Sequence, residues 1–303
     1  MYLLIVNSNA GDGNAGKVFE RIQKTNSFHN VKRITVFTNK STDAEKIAEN
    51  YSKNTSIKHV IVIGGDGTLH EVMNGWSNEA VPVSFIPGGS GNDFAKGIDQ
   101  HLKAEKQWEK IISNPTKVNY WNGIYQLEEK NREKKFINSI GMGIDAKTTE
   151  VANQSRFKAL FNYLGLGKLI YLTAFIQAVW SFQPMTIRLQ YDGKRRTIQN
   201  AWMITAANHP YSGGGLKLVP HATISSEQLS ILIIHQISRK KVLMLFLLVI
   251  FGQHRFLKEV ELLKVKEITI QADALVSYQA DGEIGQLKTC RIKKEKQAVH
   301  IYK

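Results

Sequence analysis

The chain has 303 residues, 43% of them hydrophobic and 22% charged, so it can form one large globular domain or two of ordinary size. Its net charge of +14 indicates an anionic partner, either nucleic acid or an acidic membrane surface. The single cysteine excludes an internal disulfide, and the longest apolar run, residues 242–251, is too short for a membrane-spanning helix. We therefore expect a protein of a reducing, cytoplasmic compartment.

Short apolar runs in the N-terminal part of the chain predict β-strands, each followed by a turn and a helical pattern. The runs are residues 2–6, 31–38, 60–63 and 83–86. Repeated strand–turn–helix units indicate a parallel sheet covered by helices on both faces. Two helix starts also fit the capping-box pattern of Thr followed three residues later by Glu, namely Thr42 with Glu45 and Thr68 with Glu71.

The pattern changes near residues 114–115. Segments with alternating apolar residues then predict antiparallel strands at 187–191, 201–206, 229–234 and 268–272. Two segments, 157–182 and 242–251, are helical in pattern and rich in large apolar residues. The economical interpretation is two domains, with an α/β domain first and a β-rich domain second.

The first glycine-rich turn, residues 11–16, matches the dinucleotide pattern G-x-G-x-x-G and nearly matches a P-loop. A dinucleotide site also needs an acidic residue at the end of the second strand, where residues 37–40 offer none. A P-loop needs Ser or Thr after its lysine, and Val18 stands there. Both interpretations are disfavoured.

The second glycine-rich turn, residues 64–68, follows a buried strand and precedes a helix, an arrangement that favours phosphate binding. Asp66 lies in the middle of this turn. A carboxylate beside a polyphosphate is repulsive unless a cation lies between them, so Asp66 indicates a magnesium–nucleotide site. The alternative is that Asp66-Gly67 is a tight turn and Thr68 a helix cap.

The third turn, residues 87–93, follows the next strand and carries a hydroxyl, an amide and the carboxylate of Asp93. Loops at the carboxyl ends of parallel strands gather on one edge of the sheet, where ligands bind. Two turns of this composition on one edge favour phosphoryl transfer, in which positioning and electrostatic stabilisation supply most of the catalysis.

These and further segments resemble the diacylglycerol and sphingosine kinase superfamily, which has NAD kinases and phosphofructokinases as remoter relatives. Residues 64–68 resemble its GGDGT loop, and residues 87–95 resemble the P-x-G-T-x-N-D-F-A stretch of the lipid kinases, with Ser90 in place of threonine. Other family motifs are matched in the same order along the chain by residues 7–11, 138–146, 213–222 and 281–283.

The resemblance implies an α/β fold with an N-terminal Rossmann-like, three-layer nucleotide-binding domain and a C-terminal antiparallel β-sandwich domain. The domains would span residues 1–117 and 118–303, with the last residues returning to the first domain. The implied activity is that of a lipid kinase, which transfers the γ-phosphate of ATP to the hydroxyl of diacylglycerol or a similar lipid alcohol in a cleft between the domains.

The family's functional residues carry over by position. Asp66 and Asp93 would organise catalytic Mg²⁺, and Glu283 would be the general base that takes the proton from the lipid hydroxyl. The residues implied to contact ATP are Asn7, Ser8, Asn9, Ala10, Gly11, Thr38, Gly64, Gly65, Asp66, Gly67, Thr68, Leu69, His70, Ser90 and Asn92.

The chain departs from the family pattern at two places. Asn119 stands where a carboxylate is common, so that carboxylate's contribution to a magnesium network is missing. Ser225-Ser226-Glu227 replaces a D-D-G loop that holds a structural magnesium in many bacterial members. We expect that second ion to be absent, or Glu227 to substitute for the missing ligands.

The positive charge is explained without nucleic acid if the protein works at a membrane. Basic clusters at residues 194–196, 239–241 and 288–303 would hold it against anionic headgroups at the inner face of the membrane. The apolar segment 157–182 either lines an acyl-chain cleft or packs in the core. The sequence contains no nucleic-acid recognition motif, so we expect no nucleic-acid partner, and a homodimer stays open.

Two other functions compete with a lipid kinase. One is a kinase for a soluble substrate, such as an NAD kinase-like enzyme. The other is a catalytically weak, membrane-binding homologue, which Asn119 and Ser225-Ser226 would favour.

Overall fold

The computed structural model describes residues 1–130, 132–154, 167–224 and 227–303. These residues fall into two compact units. The first unit comprises residues 1–122, 213–215 and 296–303, so it extends past the predicted boundary at residue 117 and takes in two later segments. The second unit comprises residues 123–212 and 216–295. Residues 157–166 of the predicted apolar segment, and Ser225-Ser226, lie outside the described residues.

The first unit is an α/β structure around a six-stranded sheet. The strand order is β2-β1-β3-β4-β17-β5; neighbours among β1 to β4 are parallel, and β17 is parallel to β4 but antiparallel to β5. The strands are β1 (Tyr2–Val6), β2 (Arg33–Phe37), β3 (His59–Gly64), β4 (Val83–Pro87), β5 (Lys117–Tyr120) and β17 (Val299–Tyr302). The helices are α1 (Asn14–Gln23), α2 (Asn26–Asn30), α3 (Asp43–Ser52), α4 (Asp66–Gly75), α5 (Asp93–Gly97) and α6 (Ala104–Ser113).

Helices cover this sheet because its central strands are apolar on both faces. Every residue of β3 is buried. Successive side chains of a strand point to opposite faces, so one set packs with α1 and α6 and the alternate set lies on the other face. The first set includes Leu4, Ile61 and Ile63, which cluster with Trp108 of α6.

Both predicted capping boxes are wrong. Thr42 lies just before α3 with a left-handed φ of 69° and makes no side-chain capping bond, and Thr68 lies inside α4 rather than before it. Glu71 instead accepts a hydrogen bond from the backbone N–H of Ala44, 3.0 Å away in the first turn of α3. The glutamate therefore satisfies the N-terminus of a neighbouring helix rather than its own.

The second unit is built on a large antiparallel sheet with the strand order β14-β13-β10-β8-β15-β16-β6-β7, and β9 pairs with β10 and β15. The strands of this sheet are β6 (Gly123–Leu127), β7 (Glu133–Phe136), β8 (Ser139–Gly143), β9 (Met185–Tyr191), β10 (Lys194–Ala207), β13 (Leu229–His235), β14 (Val260–Val265), β15 (Glu267–Ala280) and β16 (Glu283–Lys294). Two short strands, β11 (Tyr211–Ser212) and β12 (Leu216–Lys217), form a separate antiparallel pair. The described helices are α7 (Ile144–Gln154), α8 (Gly167–Ser181) and α9 (Arg239–Ile250).

The helices of the second unit pack on one part of this sheet. Val179 of α8 and Val242, Leu245 and Val249 of α9 are buried against side chains of β10 and β13 that include Trp202. The predicted fold class, a parallel α/β part followed by an antiparallel β-rich part, is confirmed. Among the described residues, no helix is both long and apolar enough to cross a membrane.

Candidate functional site

Three glycine-rich loops meet at the carboxyl ends of β1, β3 and β4. Loop 1 is residues 7–13, loop 2 is residues 64–68 and loop 3 is residues 88–92. A Cβ added to Gly11 would collide with the carbonyl oxygen of Gly88, and one added to Gly89 would lie 2.6 Å from the Cα of Gly65. The glycines are therefore needed because backbone packs directly on backbone where the loops meet.

Side-chain amides hold the three loops together. Asn7 Nδ2 donates to Thr68 Oγ1 at 3.0 Å, which joins loop 1 to loop 2. Asn14 Nδ2 donates to the carbonyl oxygen of Gly88 at 3.1 Å, which joins the start of α1 to loop 3. Asn92 closes loop 3 on itself by bonding both the N–H and the carbonyl oxygen of Gly89. The loops consequently form one polar surface on this edge of the sheet.

The exposed residues of the loops are Asn9 and Asp12 in loop 1, Gly67 in loop 2 and Ser90 in loop 3. A Cβ on Gly67 would meet no atom within 4 Å, so there is open space beside the first turn of α4. The N-terminus of a helix carries a partial positive charge and backbone N–H groups that point along the axis. An anionic group can approach the backbone closely at Gly67.

Asp66 braces loop 3. Its two carboxylate oxygens accept hydrogen bonds from the backbone N–H groups of Asp93 and Phe94, at 3.0 and 2.9 Å. These N–H groups lie at the start of α5, where a helix has no internal acceptors for them. Each carboxylate oxygen has a second lone pair, so the brace leaves Asp66 able to accept further bonds.

Asp93 lies beside Asp66 and is also held from the chain segment 213–215. Its Oδ2 accepts a hydrogen bond from Gly214 N at 2.8 Å, and its Oδ1 lies 3.8 Å from Lys96 Nζ. Lys96 Nζ in turn donates to the carbonyl oxygen of Gly91 at 2.8 Å. The two predicted metal-binding carboxylates are thus brought together, each fixed by backbone N–H groups.

Three other residues predicted to contact the nucleotide have little exposed surface. Thr38 is 6% exposed, and its N–H bonds Val6 O, so it lies beside loop 1 at the end of β2. Leu69 and His70 are 0% and 1% exposed. Because these two side chains are buried, the contacts with ATP predicted for Leu69 and His70 would be made by backbone atoms. Their backbone belongs to the first turns of α4.

Glu283 belongs to the second unit, where it follows the turn of the β15–β16 hairpin. Asp281 and Gly282 have φ values of 50° and 93°, the pair of positive angles that a two-residue type I′ turn requires. The turn pairs Ala280 with Glu283. The Asp-Gly part of the predicted motif is therefore explained by hairpin geometry, whereas Glu283 is not.

Asp281 also braces the start of β8. Its carboxylate accepts hydrogen bonds from the backbone N–H groups of Ile137, Asn138 and Ser139, at 2.6, 2.8 and 3.0 Å. Its own N–H donates to the carbonyl oxygen of Ser139 at 3.0 Å. The hairpin that carries Glu283 is consequently anchored to the segment before β8.

Glu283 forms an ion pair with Lys134 of β7, with 3.3 Å between Oε2 and Nζ. The two side chains are 39% and 35% exposed, so the carboxylate is accessible. The sequence analysis missed Lys134 because it lies in no motif and is 149 positions from its partner. Only the pairing of β7, β6 and β16 brings the two residues close.

Asp145, in the motif at residues 138–146, is partly buried at the start of α7. Its Oδ1 accepts from Ala146 N at 2.8 Å, and Thr205 and Gln279 donate to its Oδ2 at the longer distance of 3.4 Å. Burial outweighs these bonds and raises the pKa of the Asp145 carboxyl to about 7. A Cβ on Gly141 would collide with this carboxyl group, which explains the glycine.

Comparison with known proteins supplies the family. Residues 1–119 match the diacylglycerol kinase catalytic domain, and residues 138–302 match the YegS C-terminal NAD kinase beta sandwich-like domain. The chain is 30% identical over 287 residues, 93% of each chain, to the Bacillus subtilis (strain 168) protein named "Putative lipid kinase YtlR". It is 27% identical over 228 residues to a diacylglycerol kinase of Mycobacterium tuberculosis H37Rv, covering 74% of this chain and 70% of the relative.

A solved structure gives the same fold. The crystal structure described as a "putative diacylglycerol kinase" from Bacillus anthracis str. Sterne superposes with a TM-score of 0.74 at 21% identity, covering 99% of this chain and 96% of that one. The family models and the full-length relative together define a class of kinases, which are phosphotransferases. The chain belongs to the diacylglycerol kinase catalytic-domain family.

Proposed function

We propose that the protein is an ATP-dependent lipid kinase that transfers the γ-phosphate of ATP to the hydroxyl of diacylglycerol or a similar lipid alcohol. The observation that carries the proposal is the meeting of three glycine-rich loops at one sheet edge, with Asp66 and Asp93 fixed side by side there. Family membership adds the kinase chemistry. We propose that the enzyme acts from the cytoplasm at the inner face of the membrane.

The three loops would bind the polyphosphate of ATP. Backbone approach is open at Gly67, and Asn9 and Ser90 offer an amide and a hydroxyl at the tips of the other two loops. The partial positive charge at the start of α4 would attract phosphate oxygens. Phosphoryl transfer depends mainly on positioning and charge stabilisation, and loops held by Asn7 and Asn14 would supply that positioning.

The residues present fit Mg²⁺. No group of three or more metal-binding side chains occurs among the described residues. Mg²⁺ is commonly held by one or two carboxylates together with water and substrate phosphates, and Asp66 and Asp93 provide such a pair. The ion would neutralise charge on the transferred phosphoryl group. Asp66 and Asp93 would hold it, directly or through water.

Glu283 would act as the general base. A neutral hydroxyl attacks phosphorus faster when a carboxylate within hydrogen-bond reach accepts its proton. The Glu283 carboxylate is accessible, and Lys134 beside it favours its ionised form. The hairpin turn and the bonds of Asp281 fix the position of Glu283.

A lipid phosphorylation screen tests the proposal. The purified chain is incubated with labelled ATP and Mg²⁺ against mixed micelles of diacylglycerol, phosphatidylglycerol or ceramide, and against NAD in solution, and products are separated by thin-layer chromatography and identified by mass spectrometry. We expect a phosphorylated lipid. Its formation should be lost in Glu283→Gln and retained in Glu267→Gln, a matched change because Glu267 is 40% exposed and ion-paired with Arg291. Absence of any labelled lipid would exclude the function.

The NAD arm of the screen addresses the alternative substrate class. The C-terminal family model is described as NAD kinase beta sandwich-like, so a soluble dinucleotide acceptor is the second candidate. Label in NAD with none in lipid would favour it.

A further inference from the structure

From Val242 onward, helix α9 is apolar around its whole circumference, but only one side of it is covered. Val242, Leu245 and Val249, spaced three and four residues apart, are buried in the core of the second unit. A helix that is hydrophobic all round is expected to be surrounded by other apolar groups. The opposite side of α9 is exposed instead.

The exposed side forms a stripe along α9 and beyond its end. Met244, Leu247, Ile250 and Phe251 are 45%, 58%, 46% and 73% exposed. Phe256, in the short helical turn that follows, is 71% exposed. Singly exposed apolar residues are ordinary, whereas a contiguous apolar stripe marks an interaction surface.

Helix α8 extends the stripe. The rings of Phe175 in α8 and Phe246 in α9 stack with their centroids 4.9 Å apart, which joins the two helices. Trp180 and Ile176, one turn apart on α8, are 62% and 42% exposed. We call the combined surface the α8–α9 face; it consists of Ile176, Trp180, Met244, Leu247, Ile250, Phe251 and Phe256.

The charges around the α8–α9 face are of one sign. Residues 172–182 carry no charge, and residues 238–258 contain five basic residues and no Asp or Glu. Arg239 is turned inward and donates to the carbonyl oxygens of Val179 and Phe182, and Lys241 pairs with Glu259. The remaining three, Lys240, Arg255 and Lys258, are exposed, and Arg255 also lies 2.8 Å from His221 Nε2 and over the ring of Phe256.

Several residues of the other two basic clusters are also paired or buried. Arg196 makes a bidentate pair with Glu261, at 2.6 and 2.7 Å. Lys293 pairs with Glu133, Lys294 is buried against Asn208, and Lys303 donates to backbone carbonyl oxygens. Lys194, Arg195, Lys288 and Lys296 of those clusters are exposed as well. The α8–α9 face is therefore distinguished by large exposed apolar side chains that lie beside exposed cations.

We propose that the α8–α9 face docks onto an anionic lipid bilayer, with its aromatic and aliphatic side chains in the headgroup–acyl boundary and Lys240, Arg255 and Lys258 against lipid phosphates. Large apolar groups beside cations, without carboxylates, are the composition of interfacial membrane-binding surfaces. A second copy of the chain fits less well, because a two-fold interface would bring the same cations onto one another. The inference deepens the proposed function, on which it rests for the membrane location of the substrate.

Vesicle binding tests the proposal without nucleotide or lipid substrate. The full chain is sedimented with vesicles of phosphatidylcholine alone or of equal parts phosphatidylcholine and phosphatidylglycerol. We expect binding to the anionic vesicles that weakens as salt rises. Changing Leu247→Gln together with Phe251→Gln should weaken binding about tenfold or more. Lys240→Glu should weaken it about tenfold on anionic vesicles only.

A matched pair outside the face serves as control. Leu275 and Phe37 are 64% and 48% exposed, and Leu275→Gln with Phe37→Gln should leave vesicle binding unchanged. Trp180 gives a second signal, because it is 62% exposed, whereas Trp76, Trp108 and Trp202 are at most 5% exposed and Trp121, which lies outside the face, is only partly exposed. Its emission should shift to the blue on binding, and Trp180→Phe should remove most of that shift.

The outcomes separate docking from catalysis. Equal vesicle binding by wild type and the Leu247/Phe251 variant overturns the proposal. The docking proposal is also overturned if the chain phosphorylates lipid in detergent micelles but binds no vesicles. That result would still agree with the proposed kinase function. If light scattering shows a dimer that the Leu247/Phe251 variant abolishes while vesicle binding stays intact, the face is assigned to self-association and the docking proposal is overturned. Vesicle binding through this face by a chain without kinase activity supports docking and rejects the proposed function.

Discussion

Two of the Asp-Gly dipeptides of this protein, at residues 66–67 and 281–282, use the aspartate side chain in the same way within different folds. Asp66 follows a parallel strand and accepts two backbone N–H groups at the start of α5. Asp281 lies in a β-hairpin turn and accepts three N–H groups before β8. At both places the carboxylate fixes a neighbouring segment of backbone.

The two sites differ in the residues that lie next to the Asp66 and Asp281 carboxylates. Asp66 holds Asp93, a second carboxylate that is itself bonded to Gly214 N. Asp281 holds the hairpin of Glu283, whose carboxylate is 39% exposed beside Lys134. An acidic residue in a functional motif can therefore be required for backbone geometry, and measuring stability and activity separately distinguishes that role from a chemical one.

The largest effect is expected at Glu283. Glu283→Gln keeps the shape of the side chain and removes its basicity, so turnover should fall by a factor on the order of 10²–10⁴. Affinity for ATP, measured by calorimetry, should be unchanged, and stability should change by less than about 0.5 kcal/mol. Turnover within about threefold of wild type would show that Glu283 is only a hairpin residue.

Asp145 provides a carboxyl group in which burial outweighs bracing. The pKa is raised from 3.8 to about 7, so the carboxylic acid is favoured in the folded state. The stability that the protonated Asp145 carboxyl group contributes is fully present below about pH 4 and is lost as pH rises through about 7. Asp145→Asn removes the titration, and its stability relative to wild type should rise by as much as about 4 kcal/mol between those pH values. Urea unfolding across that range measures it; a constant difference would contradict the burial argument.

Asp281 should matter for stability more than Asp66. Asp281→Ala leaves three N–H groups without their acceptor, which should cost about 3 kcal/mol in urea unfolding. Asp281→Asn keeps one oxygen acceptor and should cost less. Loss of activity without loss of stability in Asp281→Ala would mean that this carboxylate has a chemical role that the bracing does not explain.

Asp66 should combine both roles. Asp66→Asn weakens the brace on α5 and should cost about 1–2 kcal/mol of stability in the absence of nucleotide. If Asp66 also holds Mg²⁺, the gain in ATP affinity on adding Mg²⁺ should fall about tenfold, as measured by calorimetry with and without the ion. A stability loss with an unchanged magnesium effect would leave Asp66 as a brace alone.

The site in the first unit could be predicted from sequence to a large extent because its geometry follows from the backbone. The strand at residues 2–6 and the turns at residues 64–68 and 87–93 are local patterns, and a parallel sheet brings its carboxyl-end loops to one edge. The partners of side chains could not be predicted in this way. Glu71 fits a local capping box, but it bonds Ala44 because the packing of α3 on α4 offers an unsatisfied N–H.

The second unit was less predictable for the same reason. Its antiparallel pairings join residues far apart in sequence, and Lys134 and Asp281 acquire their partners only through them. The Asp-Gly dipeptide did carry a local signal, since it favours a type I′ hairpin. The sequence motif gave Glu283 a role, but the ion pair beside it required the strand order β7-β6-β16.

The smallest effect is expected at Lys134, where the distinction between stability and chemistry is sharpest. Both partners are more than a third exposed, and such ion pairs contribute at most about 1 kcal/mol, so Lys134→Met should change the free energy of unfolding by less than about 0.5 kcal/mol. Loss of the neighbouring positive charge should still raise the pKa of Glu283, which would move the acidic limb of the pH–rate profile to higher pH. Lys134→Arg should restore the wild-type profile. If Lys134→Met leaves the pH–rate profile unchanged, the ion pair does not influence the proposed base. If the profile shifts while the free energy of unfolding stays the same, Lys134 acts on the chemistry through Glu283.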